Sequence, residues 1–353
     1  MRKYICIISA IIILCHIAEP STAQLKRKSI KKNNKRISSY RGKKEWFAKE
    51  KRYNTLGISL SALNYYGDLA PKPTRLSTDI SFTRPAVSLS YSHRFGPRYS
   101  IIGSFMYGTL RGSDSESADP GDADNAFFRY QRNLSFRNRI KELSVVASFD
   151  LFPNTMTYIS RVKWTPYGFV GLAGLLHNPQ ALAPETDLNG NPLPEAGKWV
   201  DLQSLGTEGQ NATLAEGDVN NGIERYKKIQ AAIPIGIGAR FRLNDALDFS
   251  AEIGFRYLFT DYIDDVSKNY VDLGVFDDEL ARAMSYRSNE IVDPSSLTSR
   301  VARNGESYNL LDGYGQEHVD NMRGNKDDKD IYMVTTFRLT YILGKNFNRA
   351  KFR

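Results

Sequence analysis

Val87-Ser88-Leu89-Ser90-Tyr91-Ser92-His93-Arg94-Phe95 alternates strictly: Val87, Leu89, Tyr91, His93 and Phe95 share one parity, Ser88, Ser90, Ser92 and Arg94 the other. A period of two puts the sets on opposite faces of an extended strand, one largely apolar and one polar. The pattern returns in Leu143-Val145-Ala147-Phe149-Leu151, against Ser144, Val146, Ser148 and Asp150. It returns again in Leu247 to Phe259, against Asp248, Ser250, Glu252, Gly254 and Arg256, and in Met333 to Leu343, against Thr336, Arg338 and Thr340. Strands near 55–64, 99–111 and 229–243 follow the same rule, while 165–177 is apolar on both parities. Runs of about 9 to 14 residues suit tilted strands crossing a hydrocarbon core. Sandwich strands average about 5 to 6.

The connections sharpen this. They span 65–85, 96–98, 112–140, 153–163, 178–226, 244–246 and 261–329, long and short in turn. Outer-membrane barrels combine extended outer loops with tight periplasmic turns. The expected fold is therefore all-β: an eight-stranded antiparallel transmembrane β-barrel over 54–344, with long extracellular loops and both termini periplasmic. Eight strands leave an interior just wide enough for their own side chains. The inward candidates Arg94, Asp150, Arg240, Arg242, Glu252, Arg256 and Arg338 carry both signs and predict a charge-paired plug rather than an open pore. The connections 178–226 and 261–329 are too long to be mere links. Asp277 to Tyr286 has helical spacing behind an acidic first turn.

At the start, Arg2 and Lys3 precede an apolar run from Tyr4 to Ile17, and Ser21-Thr22-Ala23 offers small residues for cleavage. That is the pattern of a secretory signal over 1–23. Both cysteines, Cys6 and Cys15, lie within it, so the exported chain would form no disulfide. Mean hydropathy is negative. Beyond the signal no run approaches the length of a membrane-spanning helix. Twenty Tyr, 18 Phe and 26 Gly fit strands, membrane interfaces and tight turns.

The net charge of +9 is local. Lys26, Arg27, Lys28, Lys31, Lys32, Lys35, Arg36, Arg41, Lys43 and Lys44 crowd a basic extension over 24–53, leaving the remaining body near neutral. Behind a signal peptide there is no nucleic acid to meet. The extension would lie in the periplasm and touch anionic lipid, at about 1 kcal/mol per basic residue, or an acidic partner. Trp46 and Phe47 within it suggest an ordered contact. A short periplasmic tail, 345–353, ends the chain.

No catalytic, cofactor-binding or metal site emerges. His93, His177 and His318 are far apart, without metal-ligand spacing, and read as surface or interface histidines. Gly236-x-Gly238 lacks the third glycine of a dinucleotide motif. The acidic stretch Asp114 to Asp124 does not match an EF-hand loop. Asp261, Asp264 and Asp265 are somewhat better placed for a cation. Ser92 and His93 are the one neighbouring nucleophile–base pair, but adjacent residues of a strand face opposite ways. No small-molecule substrate is expected.

Tyr66-Gly67-Asp68-Leu69, Thr83-Arg84-Pro85, Arg132-Asn133-Leu134-Ser135-Phe136-Arg137, Thr165-Pro166-Tyr167, Trp199 to Gln210 (with Glu208), Phe259 to Ser267 (with Asp261, Tyr262, Asp264 and Asp265) and Arg323-Gly324-Asn325 occur in this order. Together they resemble the PorG-like outer-membrane barrels of Bacteroidota, associated with type IX secretion and gliding motility. The resemblance runs from about 53 to 344. It implies a structural barrel that links the outer membrane to a periplasmic ring of the PorK and PorN types. The alternative is a surface-binding barrel, an adhesin or surface-complex subunit, that works through its long loops.

Overall fold

The computed structural model describes residues 51–69, 82–123, 126–326 and 329–343. The expected signal, the basic extension up to residue 50 and the tail 345–353 lie outside them. Eight strands form the wall: β1 (Tyr53–Tyr66), β2 (Arg84–Arg94), β3 (Tyr99–Ser113), β4 (Ser135–Asp150), β5 (Trp164–Leu176), β8 (Ile229–Arg242), β9 (Leu247–Leu258) and β12 (Ile331–Leu343). Each pairs antiparallel with the next, β3 with β4 and β1 with β12 included, so the sheet closes and no wall strand keeps a free edge.

Alternation decides which side faces out. Along β1, Leu56, Ile58 and Leu60 are exposed while Thr55, Gly57, Ser59 and Ser61 are buried. Leu89, Leu172, Ile237, Ile253 and Phe337 continue the outer apolar surface. Water would penalise such a surface, and hydrocarbon would not. Inside, hydroxyls pair across neighbouring strands: Ser59 with Ser88 (2.9 Å), Ser61 with Thr336 (2.9 Å) and Ser104 with Ser144 (2.8 Å). The run that looked apolar on both parities resolves as β5. Tyr167, Phe169, Ala173 and Leu175 face in, and Val170 and Leu172 face out. Phe169 lies where Gly236 of β8 is paired with Gly254 of β9. A Cβ on either would stand 2.6 or 2.8 Å from its ring carbon. The glycine pair at 236 and 238 thus makes room for aromatic rings in the lumen.

One boundary differs from expectation by more than two residues. The fourth strand begins at Ser135, not near 141. Phe136, Asn138 and Ile140 point inward and are buried, but their outward neighbours are Arg137, Arg139 and Lys141. Charges on the outward parity hide the strand from a search for apolar alternation.

The long connections are folded. Pro179–Leu182 (β6) extends the edge of β4, and Trp199–Asp201 (β7) pairs with β6. Thr298–Val301 (β10) and Ser307–Leu310 (β11) form a separate hairpin. The expected helix spans Glu279–Ser285, with the Asp278 side chain accepting from the Leu280 N–H as N-cap. One apolar cluster joins wall residues Leu63, Leu110, Phe136, Ile140 and Val334 to loop residues Leu69, Leu202, Ile263, Val266 and Met284. A second, around Phe276, Tyr286 and Tyr308, lies in the connection 259–330. Placing Arg on the lipid face, as in Ile253→Arg near mid-strand, is expected to cost about 2–4 kcal/mol. Urea unfolding in lipid vesicles, followed by the gel shift of the folded barrel, measures it.

Candidate functional site

Inside the barrel, arginines meet carboxylates at successive heights. Asp150 on β4 receives Arg94 of β2 (2.7 Å) and Arg240 of β8 (3.0 Å). Arg338 of β12 meets Glu252 of β9 at 2.9 Å, and Tyr167 donates to the same carboxylate at 2.5 Å. Arg256 meets Glu142 at 3.3 Å, with Tyr332 donating at 2.5 Å. Arg161, from the turn after β4, reaches Asp248 at 2.7 Å. Arg242 ends β8 at the rim and pairs with Asp245 of the following turn at 2.6 Å. Glu142 and Arg161 carry no mark in the sequence, and Asp248 stands there only as a polar-parity residue of its strand. Two cavities beside Arg94 and Arg240 measure about 30 and 20 Å³. A cavity of that size admits about one water, so these spaces are no solute channel.

Above the lumen, two buried arginines tie the long connections together. Arg132 lies at the end of the helix Ala126–Arg132. It bonds both oxygens of Asp114 (2.7 and 2.9 Å), the Asp68 carbonyl (2.7 Å) and the Arg323 carbonyl (2.7 Å). Arg323 donates to Glu208 (3.2 Å) and to the carbonyls of Asp265 (2.6 Å) and Ser285 (3.3 Å). Asp265 accepts from Thr207 (2.5 Å) and Tyr226 (2.6 Å). Each of the four long connections contributes a member. Asn133 and Asp265, two non-glycine residues with positive φ (53° and 71°), bend the backbone beside these contacts. Side chains of this type tolerate that region best. Gly324 allows the close approach, because a Cβ there would lie 2.5 Å from both Asp68 Oδ2 and the Ser267 nitrogen.

Between this cap and the barrel mouth sit several buried acids. Tyr65 Oη is 2.6 Å from Asp264 Oδ2 and 2.5 Å from Asp330 Oδ1. One hydroxyl proton cannot serve two carboxylates, so one of the pair must carry its own. Burial raises both Asp264 and Asp330 above the usual carboxylate range, with repulsion from Asp330 and Asp68 adding at Asp264 and from Asp261 and Asp68 at Asp330. Burial pushes Asp261 up to about 9, and one of its oxygens has no hydrogen-bond partner. It pushes Asp68 and Asp265 up to about 6, although Arg132 and Arg323 respectively act in the other direction. Among the described residues, no group of three or more His, Cys, Asp or Glu side chains is placed to hold a metal.

The remaining sequence candidates scatter. Tyr66 is buried, with its hydroxyl 4.0 Å from Met333 Sδ, and Gly67 lies against the Tyr65 hydroxyl and Asp330. Arg84 bonds the Thr83 carbonyl at 3.4 Å, while Pro85 is exposed on β2. Trp199 lies under the Arg137 guanidinium at 3.7 Å. Tyr262 stacks on Tyr226 at 4.7 Å. His177 is a buried histidine of the cap rather than a surface one. Burial lowers it to about 4, and its ring stacks on Tyr226. Ser92 bonds Thr55, and His93 bonds Asn54, so they form no catalytic pair. Lys26, Arg27, Lys28, Lys31, Lys32, Lys35, Arg36, Arg41, Lys43, Lys44, Trp46 and Phe47 lie outside the described residues. Arg132, Arg323 and Asp114 carry the cap, yet no spacing marks them, because their partners are distant in sequence.

Residues 44–191 match a family described as a domain of unknown function, DUF6089. No curated protein matches the chain. Among solved structures it is similar to the attachment invasion locus protein Ail of Yersinia pestis (8% identity, 83% of this chain, 99% of that one, TM-score 0.32). It is also similar to Neisserial surface protein A (6%, 82% and 96%, TM-score 0.33). A third is the N-terminal β-barrel domain of Pseudomonas aeruginosa OprF (8%, 83% and 99%, TM-score 0.30). Overlaps this loose say nothing of what the chain binds.

Arg132→Met strands Asp114 in the interior and is expected to cost the cap about 3–5 kcal/mol. Limited proteolysis should then cut the connections 114–134 and 259–330 while the wall stays intact. The acids predict a pH dependence as well. Carboxyls whose folded pKa is raised stabilise the fold below their unfolded value near 3.8 and lose that contribution as pH rises through the folded value. The cap should therefore loosen between about pH 5 and 9. A broad-range protease, normalised to an unstructured substrate, should cut it faster at pH 9 than at pH 5.5.

Proposed function

We propose that this chain is a non-catalytic outer-membrane anchor of type IX secretion, with its termini in the periplasm and its cap outside. It holds the periplasmic ring through the basic extension 24–53. The observation that supports this best is a lumen filled by ion pairs beneath a cap knitted from all four long connections. Such a body suits holding position rather than passing solutes. The stretches that resemble the PorG-like barrels supply Asp68, Arg132, Glu208, Asp265 and Arg323 to that cap. The cations from Lys26 to Lys44 give the periplasmic side a means of binding an acidic partner.

A surface-binding role is the second reading, favoured by one observation. A cavity of about 370 Å³ opens in the cap between Phe128, Arg129, Tyr314 and Met322. Phe128 and Met322, 58% and 62% exposed, put apolar surface at its edge.

Affinity purification in mild detergent separates the two. The intact protein should bring down proteins of the ring, and the form lacking residues 24–52 should lose most of them. Undiminished recovery would overturn docking through the extension. No recovery with either form would overturn the secretion role and leave the cap as the working face.

A further inference from the structure

We infer that the outward face of β3 and β4, at the long-connection end, is a binding site for the phosphorylated headgroup of a membrane lipid. The outward row of β4 changes character in one step. Leu143, 64% exposed and apolar, is followed toward the cap by Lys141, Arg139 and Arg137. The register sets Phe105 of β3 beside Leu143, Tyr107 beside Lys141, Thr109 beside Arg139 and Arg111 beside Arg137. Cross-strand neighbours stand about 5 Å apart and same-face neighbours along a strand about 7 Å. Four cations therefore share a patch roughly 13 Å tall, directly above an aromatic and aliphatic surface.

The patch is built, not incidental. Arg137 is held against Trp199 at 3.7 Å and by Gln180 Oε1 at 2.9 Å. Arg111 pairs with Glu116. Arg139 and Lys141 are exposed and, among the described residues, have no ion-pair partner. Glu142, the nearest acid in sequence, has the opposite parity and points into the lumen toward Arg256. Toward the cap, the outward positions of the other six wall strands are uncharged: Leu60 and Ala62, Pro85 and Val87, Gly174 and Leu176, Ile229 and Ala231, Tyr257, and Met333 and Thr335. A general interfacial belt would spread its cations around the rim. Here, within the wall strands, they gather on one strand pair. A lipid phosphate fits that asymmetry. Its charge would meet Arg139 and Lys141, flanked by Arg137 and Arg111, with its acyl chains on Phe105, Leu143 and Val145 below.

This inference rests on the membrane-spanning reading of the wall, and the test separates the two. The full mature chain is placed in phosphatidylcholine nanodiscs doped with either phosphorylated lipid A or the same lipid after phosphatase treatment. Retained lipid is counted by native mass spectrometry. The intact chain should retain the phosphorylated lipid. The double variant Arg139→Gln with Lys141→Gln should retain about thirtyfold less, given about 1 kcal/mol per cation. Arg300→Gln, on the exposed hairpin strand β10, should change nothing. Equal retention by the double variant, equal retention of the dephosphorylated lipid, or release by millimolar inorganic phosphate would each overturn the lipid site while leaving the barrel reading intact. Failure of the folded chain to enter nanodiscs would overturn both.

Discussion

Two guanidinium groups, with side chains 9% and 2% exposed, hold the long connections of this molecule together. A charge removed from water at such a depth is tolerable only when hydrogen-bond acceptors and a counter-charge stand close. Arg132 and Arg323 meet that condition with acceptors from different connections, and Arg132 uses the Arg323 backbone itself. Withdrawing any one connection would take an acceptor or a counter-charge from one of them. The requirement for satisfied charge thus turns four long loops into one body. The buried acids beneath, with Tyr65 shared between two of them, link that body to the strand ends of β1 and β12.

The barrel solves the same problem by other means. Its lumen has no room for solvent shells, so each arginine sits within 3.3 Å of a carboxylate on another strand or on a turn. Outside, apolar side chains stand where water would penalise them, which ties the wall to a lipid environment. Between lumen and cap, Leu63, Phe136, Ile140 and Ile263 belong to one apolar cluster that packs beside the buried acids.

The wall was legible because a two-residue period is local. Leu89 and Ser90 announce their faces without any knowledge of their neighbours. The same logic failed where the outward face leaves the lipid: Arg137, Arg139 and Lys141 made the start of β4 look like a loop and hid Glu142 behind them. The cap was legible only as length and as motifs. Asp68, Glu208 and Asp265 were picked out, but their purpose depends on Arg132 and Arg323, whose partners lie up to 191 residues away. No period or spacing encodes a contact of that range. Arg242 marks the end of that inward row: it lines the turn-end cavity with Asp150 and Asp248, bonds the Arg161 carbonyl and pairs with Asp245.

Hydrogen exchange of the intact barrel in nanodiscs, resolved by peptide, tests the central claim that the four long connections open as one unit. Residues 67–69, 126–134, 202–210 and 263–286 should share a single slow opening rate, well below that of the exposed hairpin 298–310. Separate rates for these segments, with any one exchanging freely while the others stay protected, would contradict a cap held by a shared pair of buried arginines.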